Sequence, residues 1–263
     1  MKARSNSPAR CAAIMGCALL VVSLCAASAS AQVWAKKEWK TWSKDDCRKI
    51  LEDSPWARKE QLGEVVQNAF GQSTQGTGRE TEQFIYYVIQ FRSALPVRQA
   101  FVRLMQIERK YDKMSAEDRK AFDASAGSFL AGKYEDSIVI NVSYGSNVDK
   151  YARELKRIWQ GYSELAPPQD ITLTTSKGTR VKPLRIVSAP GGAMEFNLIF
   201  PRLIDGEPFI TSNLKSVGIE FPHPDIEKIE AGKDTESEKL TATRRIYTEF
   251  KVDKMVVNGQ IIY

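Results

Sequence analysis

Four stretches in the first part of the chain carry the apolar period of an α-helix. They begin after Ser43, at about Leu95, after Ser115 and after Ser146, and apolar residues recur in them every three or four positions. Each of the three serines is followed three residues later by an aspartate, a spacing typical of helix N-caps. The predicted inner side of the second helix comprises Val97, Phe101, Leu104, Ile107, Glu108 and Tyr111. Its Arg98 is expected on the more exposed side.

Two stretches between these helices are β-branched and aromatic almost throughout. They run from Phe84 to Phe91 and from Ile138 to Val142, and their composition is typical of strands covered on both faces. A third strand is expected within residues 61–70, and the glycine-rich residues 71–80 are expected to form a loop. The pattern predicts a small N-terminal α/β domain, residues 32–166, with a mixed sheet and several helices.

After Pro167-Pro168 the period changes from helical to alternating. Seven or eight short strands are predicted, and Asn258-Gly259 is the strongest hairpin signal among them. In the strand around Ile246 to Val252 one face is apolar, and the other is formed by Arg245, Tyr247, Glu249 and Lys251. We expect an immunoglobulin-like all-β sandwich over residues 169–263, interrupted by a charged loop at 225–238. The predicted fold class of the whole chain is therefore α+β.

The N-terminal residues have the pattern of a secretory signal peptide. Residues 1–10 are basic, residues 11–24 are apolar, and small residues end at Ala31. Because the apolar run is too short to span a bilayer comfortably, we expect cleavage after Ala31 and no transmembrane segment afterwards. The predicted location is periplasmic or extracellular, in a bacterial setting.

Charge and cysteine content narrow the function classes. The chain carries 38 basic and 32 acidic residues, and three of the basic ones lie in the predicted leader. The remaining net charge of +3 (35 against 32) is too small to argue for a nucleic-acid partner. Cys47 is the one cysteine outside the leader, so an internal disulfide is excluded. A buried thiol on a helix face is the favoured interpretation.

No catalytic set stands out. His223 is the only histidine and no CxxC pair occurs, so the common zinc sites are excluded and neither a metal nor a cofactor is predicted. A serine triad with His223 is disfavoured, because residues 71–75 lack the last glycine of a G-x-S-x-G elbow. Carboxylate pairs occur at Asp45/Asp46, Glu52/Asp53, Glu117/Asp118 and Glu135/Asp136. Helix ends and turns explain these pairs, so no catalytic residue is assigned.

Four of the five tryptophans lie between Trp34 and Trp56. Trp42 and Trp56 flank the first predicted helix and are expected in the core. Trp34 and Trp39 precede that helix among lysines and are the candidate binding residues, because exposed indoles can stack on sugar rings. The alternative is that they clamp this segment onto the rest of the protein.

Two short segments carry a resemblance to a known group. Trp42-Ser-Lys-Asp-Asp-Cys47 with Ser54-Pro-Trp56, and the closing Met255-Val-Val-Asn-Gly259, resemble uncharacterised secreted proteins of soil bacteria, acidobacterial ones in particular. The resemblance implies no activity, and no functional residue is carried over from it.

The sequence thus favours an exported, non-enzymatic envelope or secreted module that binds a protein or a saccharide. One alternative is a secreted carboxylate-dependent hydrolase, acting on glycans. Another is a structural envelope protein whose sheet edge pairs with a partner chain. The oligomeric state is open.

Overall fold

The computed structural model describes residues 33–64, 83–161, 170–223 and 244–263. The helices in these ranges are α1 (Val33–Lys36), α2 (Lys44–Glu52), α3 (Leu95–Glu108), α4 (Ala116–Leu130) and α5 (Asp149–Gly161). Two of the predicted N-caps are present: the Ser43 hydroxyl accepts from the Asp46 N–H at 3.1 Å, and the Ser115 hydroxyl accepts from the Asp118 N–H at 3.1 Å. The Asp46 carboxylate accepts in turn from the Ser43 N–H at 3.0 Å, which completes a capping box.

A six-stranded sheet forms the centre of the fold. Its strands are β1 (Asp53–Ser54), β2 (Ala57–Glu64), β3 (Gln83–Phe91), β4 (Ser137–Ser146), β7 (Arg185–Ser188) and β8 (Glu195–Pro201). They lie in the order β1-β2-β3-β4-β8-β7, and every neighbouring pair is antiparallel.

A four-stranded antiparallel sheet is formed by β5 (Thr172–Thr175), β6 (Arg180–Val181), β11 (Ser216–His223) and β12 (Arg244–Lys251). Its order is β12-β11-β5-β6. Two small hairpins complete the strands: β9 (Leu203–Ile204) with β10 (Glu207–Pro208), and β13 (Val256–Val257) with β14 (Gln260–Ile261). The last hairpin turns at Asn258-Gly259, where both residues have positive φ (50° and 79°), as the sequence predicts.

The two sheets pack against each other through aromatic side chains. The Phe91 and Phe250 rings are 4.9 Å apart, and the Tyr87 and Phe221 rings 5.4 Å apart. Trp159 of α5 is buried in the same layer, 4.7 Å from the Phe196 ring. Because side chains alternate along a strand, the even-numbered residues of β3 face the other way. There the Gln90 amide donates to the Leu51 carbonyl of α2 at 2.6 Å, and α3 packs on α2.

The α+β class is confirmed, since five helices accompany antiparallel sheets. The mixed sheet predicted for residues 32–166 is not what the described strands form, because all their pairings are antiparallel. The immunoglobulin-like sandwich predicted for residues 169–263 is not confirmed. The physical reason is that β7 and β8 pair with β4 in the six-stranded sheet instead of joining the other late strands.

The predicted boundary near Pro167 lies outside the described residues, and the division into 32–166 and 169–263 stays a prediction. Strands from both sides of it share one sheet, and side chains from both sides share one core.

The leader at 1–31, the loop at 71–80 and the charged segment at 225–238 also lie outside the described ranges. None of the five helices seen combines the length and the hydropathy that a membrane-spanning segment needs.

Arg98 is a correction to the helix pattern. The prediction placed it on the exposed side of α3, yet only 6% of it is exposed. Its guanidinium donates to the carbonyls of Phe129, Leu130 and Gly132 at 2.6 to 3.2 Å. Phe129 and Leu130 are the last residues of α4, where carbonyls lack the usual partner four residues on, and Gly132 lies just beyond the helix. The end of α4 thus provides a polar environment for a cation that periodicity alone assigns to solvent.

Candidate functional site

Trp42 and Trp56 are core residues, as predicted, with 1% and 0% exposure. The Trp42 indole N–H donates to the Lys37 carbonyl at 3.2 Å, and that of Trp56 donates to the Ile262 carbonyl at 2.5 Å. The second bond joins the turn between β1 and β2 to the end of the chain, just after the final hairpin. Both indoles are therefore engaged inside the protein.

Trp34 and Trp39, the predicted binding residues, are half-buried and pack against the core. The Trp34 ring meets the Trp56 ring nearly at right angles, with centroids 5.2 Å apart. The Trp39 ring is 5.9 Å from the Lys40 ammonium. The two indoles thus have different contacts, and their role in binding a partner stays a prediction.

Cys47 lies on the inner side of α2 and is fully buried. Burial raises the pKa of its thiol to about 11, and the positive charge of Arg103 opposes that shift. A protonated, inaccessible thiol is a poor nucleophile, which agrees with the predicted packing role.

His223 is the last residue of β11 and is 1% exposed. Its Nδ1 lies 3.1 Å from the Tyr87 hydroxyl, between the two sheets. Burial raises the pKa of Tyr87, while hydrogen bonding with Trp159 acts in the opposite direction. The imidazole is therefore a buried group that packs and hydrogen-bonds between the two sheets, and solvent does not reach it.

The predicted carboxylate pairs are used locally. The Asp46 carboxylate accepts from the Ser43 N–H in the capping box, and the Asp118 carboxylate accepts from the hydroxyl of the N-cap Ser115. Glu52 and Asp53 form ion pairs with cations of β2 at 3.7 and 3.2 Å. Residues 135–136 are exposed. No group of three or more metal-ligating side chains occurs in the part of the chain that the structure describes.

The outer face of the four-stranded sheet presents the most exposed aromatic ring among the described residues. Tyr247 of β12 is 58% exposed, yet its ring rests on Gly218 of the neighbouring strand. A Cβ at Gly218 would lie 2.6 Å from the Tyr247 hydroxyl oxygen and 2.7 Å from Cε2. One face of the ring thus packs on Gly218, which has no side chain, and its other face is open to solvent.

Polar groups flank this ring on both sides along the sheet. Arg245 forms an ion pair with Glu220, and the Ser216 hydroxyl donates to the Glu249 carboxylate. Burial, and then the charges of Glu249 and Glu220, raise the pKa of Tyr247. A row of hydroxyl, carboxylate, ring and guanidinium thus runs along the outer face of the sheet, with the Tyr247 ring exposed.

Sequence reasoning assigned Tyr247 to the polar face of its strand but did not single it out. The alternation from Arg245 to Lys251 was visible, whereas the register that places Gly218 beneath the ring was not. A glycine within a strand signals close approach of another group, and Gly218 is the residue that carried this signal.

A second candidate is an open cleft of about 270 Å³ lined by residues that include Leu95, Arg98, Tyr134, Arg202 and Tyr263. The Arg202 guanidinium stacks on the Tyr263 ring at 3.8 Å and donates to the main-chain oxygen of that residue at 2.8 Å. Since both arginines bind main-chain oxygens of the protein itself, the cleft is the weaker candidate.

Comparisons with known proteins give no relative: no protein-family model, no curated protein and no solved structure matches the chain.

Proposed function

We propose that this chain is an exported, non-enzymatic protein that binds a saccharide on the outer face of its four-stranded sheet. The observation that carries the proposal is Tyr247, whose ring is 58% exposed and yet supported by Gly218. The leader pattern at 1–31 supports export.

Two physical properties suit the face to sugars. An aromatic ring packs well against the apolar C–H face of a sugar, and a ring already held in place loses little side-chain freedom on binding. Glu220 and Glu249 present carboxylate oxygens beside the ring. They can accept hydrogen bonds from sugar hydroxyls, and such charge-assisted bonds are stronger than neutral ones.

The test is binding of the purified protein to an array of oligosaccharides, followed by titration of the best ligand. We expect Tyr247→Ala to weaken binding by about tenfold, because stacking of one ring supplies on the order of 1 kcal/mol or more. Tyr247→Phe keeps the ring and is expected to retain most of the affinity. Leu184→Ala is the matched control, since Leu184 is 59% exposed but lies outside this strand face.

The alternatives are separated in the same experiment. Release of reducing ends from a bound oligosaccharide would favour the carboxylate-dependent hydrolase. Binding that Tyr247→Ala leaves unchanged would place the site elsewhere and overturn the proposal. The structural alternative predicts self-association, which light scattering on the purified protein measures.

A further inference from the structure

A group of exposed cations lies at one end of the four-stranded sheet. Lys177 and Arg180 belong to the β5–β6 hairpin, Lys215 directly precedes β11, and Lys251 ends β12. Their backbones are neighbours: the Lys215 N–H donates to the Ser176 hydroxyl at 3.0 Å, and residue 216 pairs with Lys251.

These four cations are unneutralised within the described residues. Within that part of the chain, none of the four side chains forms an ion pair, a hydrogen bond or a ring contact. Of the nearby acids, Asp253 pairs with Lys254 at 3.5 Å. The Glu249 carboxylate accepts only from the neutral Ser216 hydroxyl and keeps its charge. Four cations against the one unpaired carboxylate of Glu249 make this end of the sheet positive.

The cations lie within reach of the tyrosine along the sheet. Lys251 is four residues from Tyr247 on one strand, about 13 Å of backbone at the rise of a β-strand. Arg180 lies three strands away, about 14 Å across the sheet. A ligand that uses the ring and the cations together is thus an extended chain and not a single sugar.

We infer that the ligand of this face is an acidic polysaccharide, one that carries carboxylates along a chain of sugar rings. The inference rests on the proposed function and adds the charge of the ligand to it. Tyr247 stacks on one sugar, and Lys177, Arg180, Lys215 and Lys251 bind carboxylates of its neighbours. Opposite charge across the interface also raises the rate of association.

The carboxylates on the face distinguish this ligand from nucleic acid. Glu220 and Glu249 flank the ring and can bind hydroxyls of a sugar chain. Duplex DNA carries one negative charge per about 1.7 Å of its axis, so several phosphates would lie beside these two acids and be repelled. An acidic polysaccharide carries at most one carboxylate on each sugar, and the neutral hydroxyls between carboxylates can face the two acids. A polymer with fewer charges and many hydroxyls complements a face that holds both signs.

The experiment compares polygalacturonate, the uncharged polymer dextran and duplex DNA by titration calorimetry at low and at physiological salt. We expect polygalacturonate to bind most tightly and to weaken as salt screens the charges. In the variant that joins K177Q, R180Q, K215Q and K251Q, its affinity should fall by about tenfold or more. The control joins R109Q, K113Q, K120Q and K133Q, four exposed cations in and beside the helices, and removes the same charge elsewhere.

Each outcome separates the two proposals. If dextran binds as tightly as polygalacturonate, or if the two fourfold variants behave alike, the acidic ligand is ruled out while saccharide binding stands. Tighter binding of DNA would replace the saccharide with nucleic acid. No binding of any polysaccharide, here or on the array, would overturn the proposed function and the inference together.

Discussion

The Tyr247 ring lies on Gly218, and the space beneath it exists only because that residue has no side chain. The same relationship occurs in the six-stranded sheet. There Tyr86 lies on Gly145, and an added Cβ would stand 2.5 Å from the Tyr86 hydroxyl oxygen. The two pairs differ in exposure, because Tyr86 is half-buried and Tyr247 is open to solvent.

This difference makes Gly218→Ala a specific test of the binding face. The added methyl group displaces the Tyr247 ring without removing it, so we expect saccharide binding to fall by about tenfold. Stability should change by less than about 1 kcal/mol, because an exposed ring can swing into solvent and alanine restricts the unfolded chain. Titration with the array ligand and urea denaturation measure the two effects.

Gly145→Ala is the matched control, because an added Cβ there would also crowd a tyrosine ring on the neighbouring strand. Displacing the half-buried Tyr86 should reduce the free energy of unfolding by about 1 to 2 kcal/mol and leave saccharide affinity unchanged. If Gly145→Ala weakened binding as much as Gly218→Ala does, the loss would reflect general damage to the sheets.

Trp34 is expected to contribute to stability rather than to the proposed saccharide site. Trp34→Ala removes its edge-on contact with the buried Trp56, so we predict a loss of about 1 to 2 kcal/mol in the free energy of unfolding. Trp39→Ala, which removes a contact with exposed Lys40, should cost less. Array binding that disappears in either variant while folding is intact would restore these indoles as the binding residues.

Sequence patterns located most elements because the local signals were strong. The capping serines marked where α2 and α4 begin, and Asn258-Gly259 fixed the last turn. Strand pairing was harder to predict, because alternation shows which residues share a face but not which strands are neighbours in a sheet. The pairing of β8 with β4 joins segments far apart in sequence, and no local pattern reports such a contact.

The candidate site could be predicted only in part, for the same reason. Tyr247 was visible as part of an outward-facing row, while its support by Gly218 depends on the register between β11 and β12. The tryptophans drew attention because they are rare and clustered. Burial of Trp42 and Trp56 follows from their place beside a helix, whereas the partial burial of Trp34 depends on tertiary packing.

Arg98 is predicted to stabilise the protein through the end of α4. Arg98→Met keeps much of the apolar contact but removes the guanidinium donor from the carbonyls of Phe129, Leu130 and Gly132. We expect the free energy of unfolding to fall by about 3 kcal/mol. Arg103→Met, which removes one main-chain bond to Trp42, should cost about 1 kcal/mol. Equal losses in urea denaturation would mean that water replaces Arg98 at the helix end.

Asp46 should make stability depend on acidic pH. The hydrogen bond from the Ser43 N–H holds its pKa below the ordinary 3.8, and burial opposes this. A lowered pKa in the folded state means that the stabilisation is complete above 3.8 and is lost as the pH falls through the folded value. Asp46→Asn should therefore cost about 1 kcal/mol at neutral pH, and the difference from wild type should vanish in strong acid. Asp45→Asn removes the same charge from the same turn, but Asp45 is exposed and makes no cap, so its effect should be smaller at every pH.

Cys47 offers a direct measure of how α2 opens. Its thiol is fully buried, and a pKa raised to about 11 keeps it protonated at mildly alkaline pH. A disulfide reagent should therefore react slowly with folded protein produced from Gln32, the residue after the predicted leader, in which Cys47 is the only cysteine. The same reagent should react rapidly after unfolding in urea. Because reaction requires opening of the helix, the ratio of the two rates gives the free energy of that opening.

Trp34→Ala should raise the native rate if α1 and α2 open together, since Trp56 then loses its contact beside α2. Rapid reaction of the wild type without denaturant would contradict a buried thiol and would reopen a chemical role for Cys47.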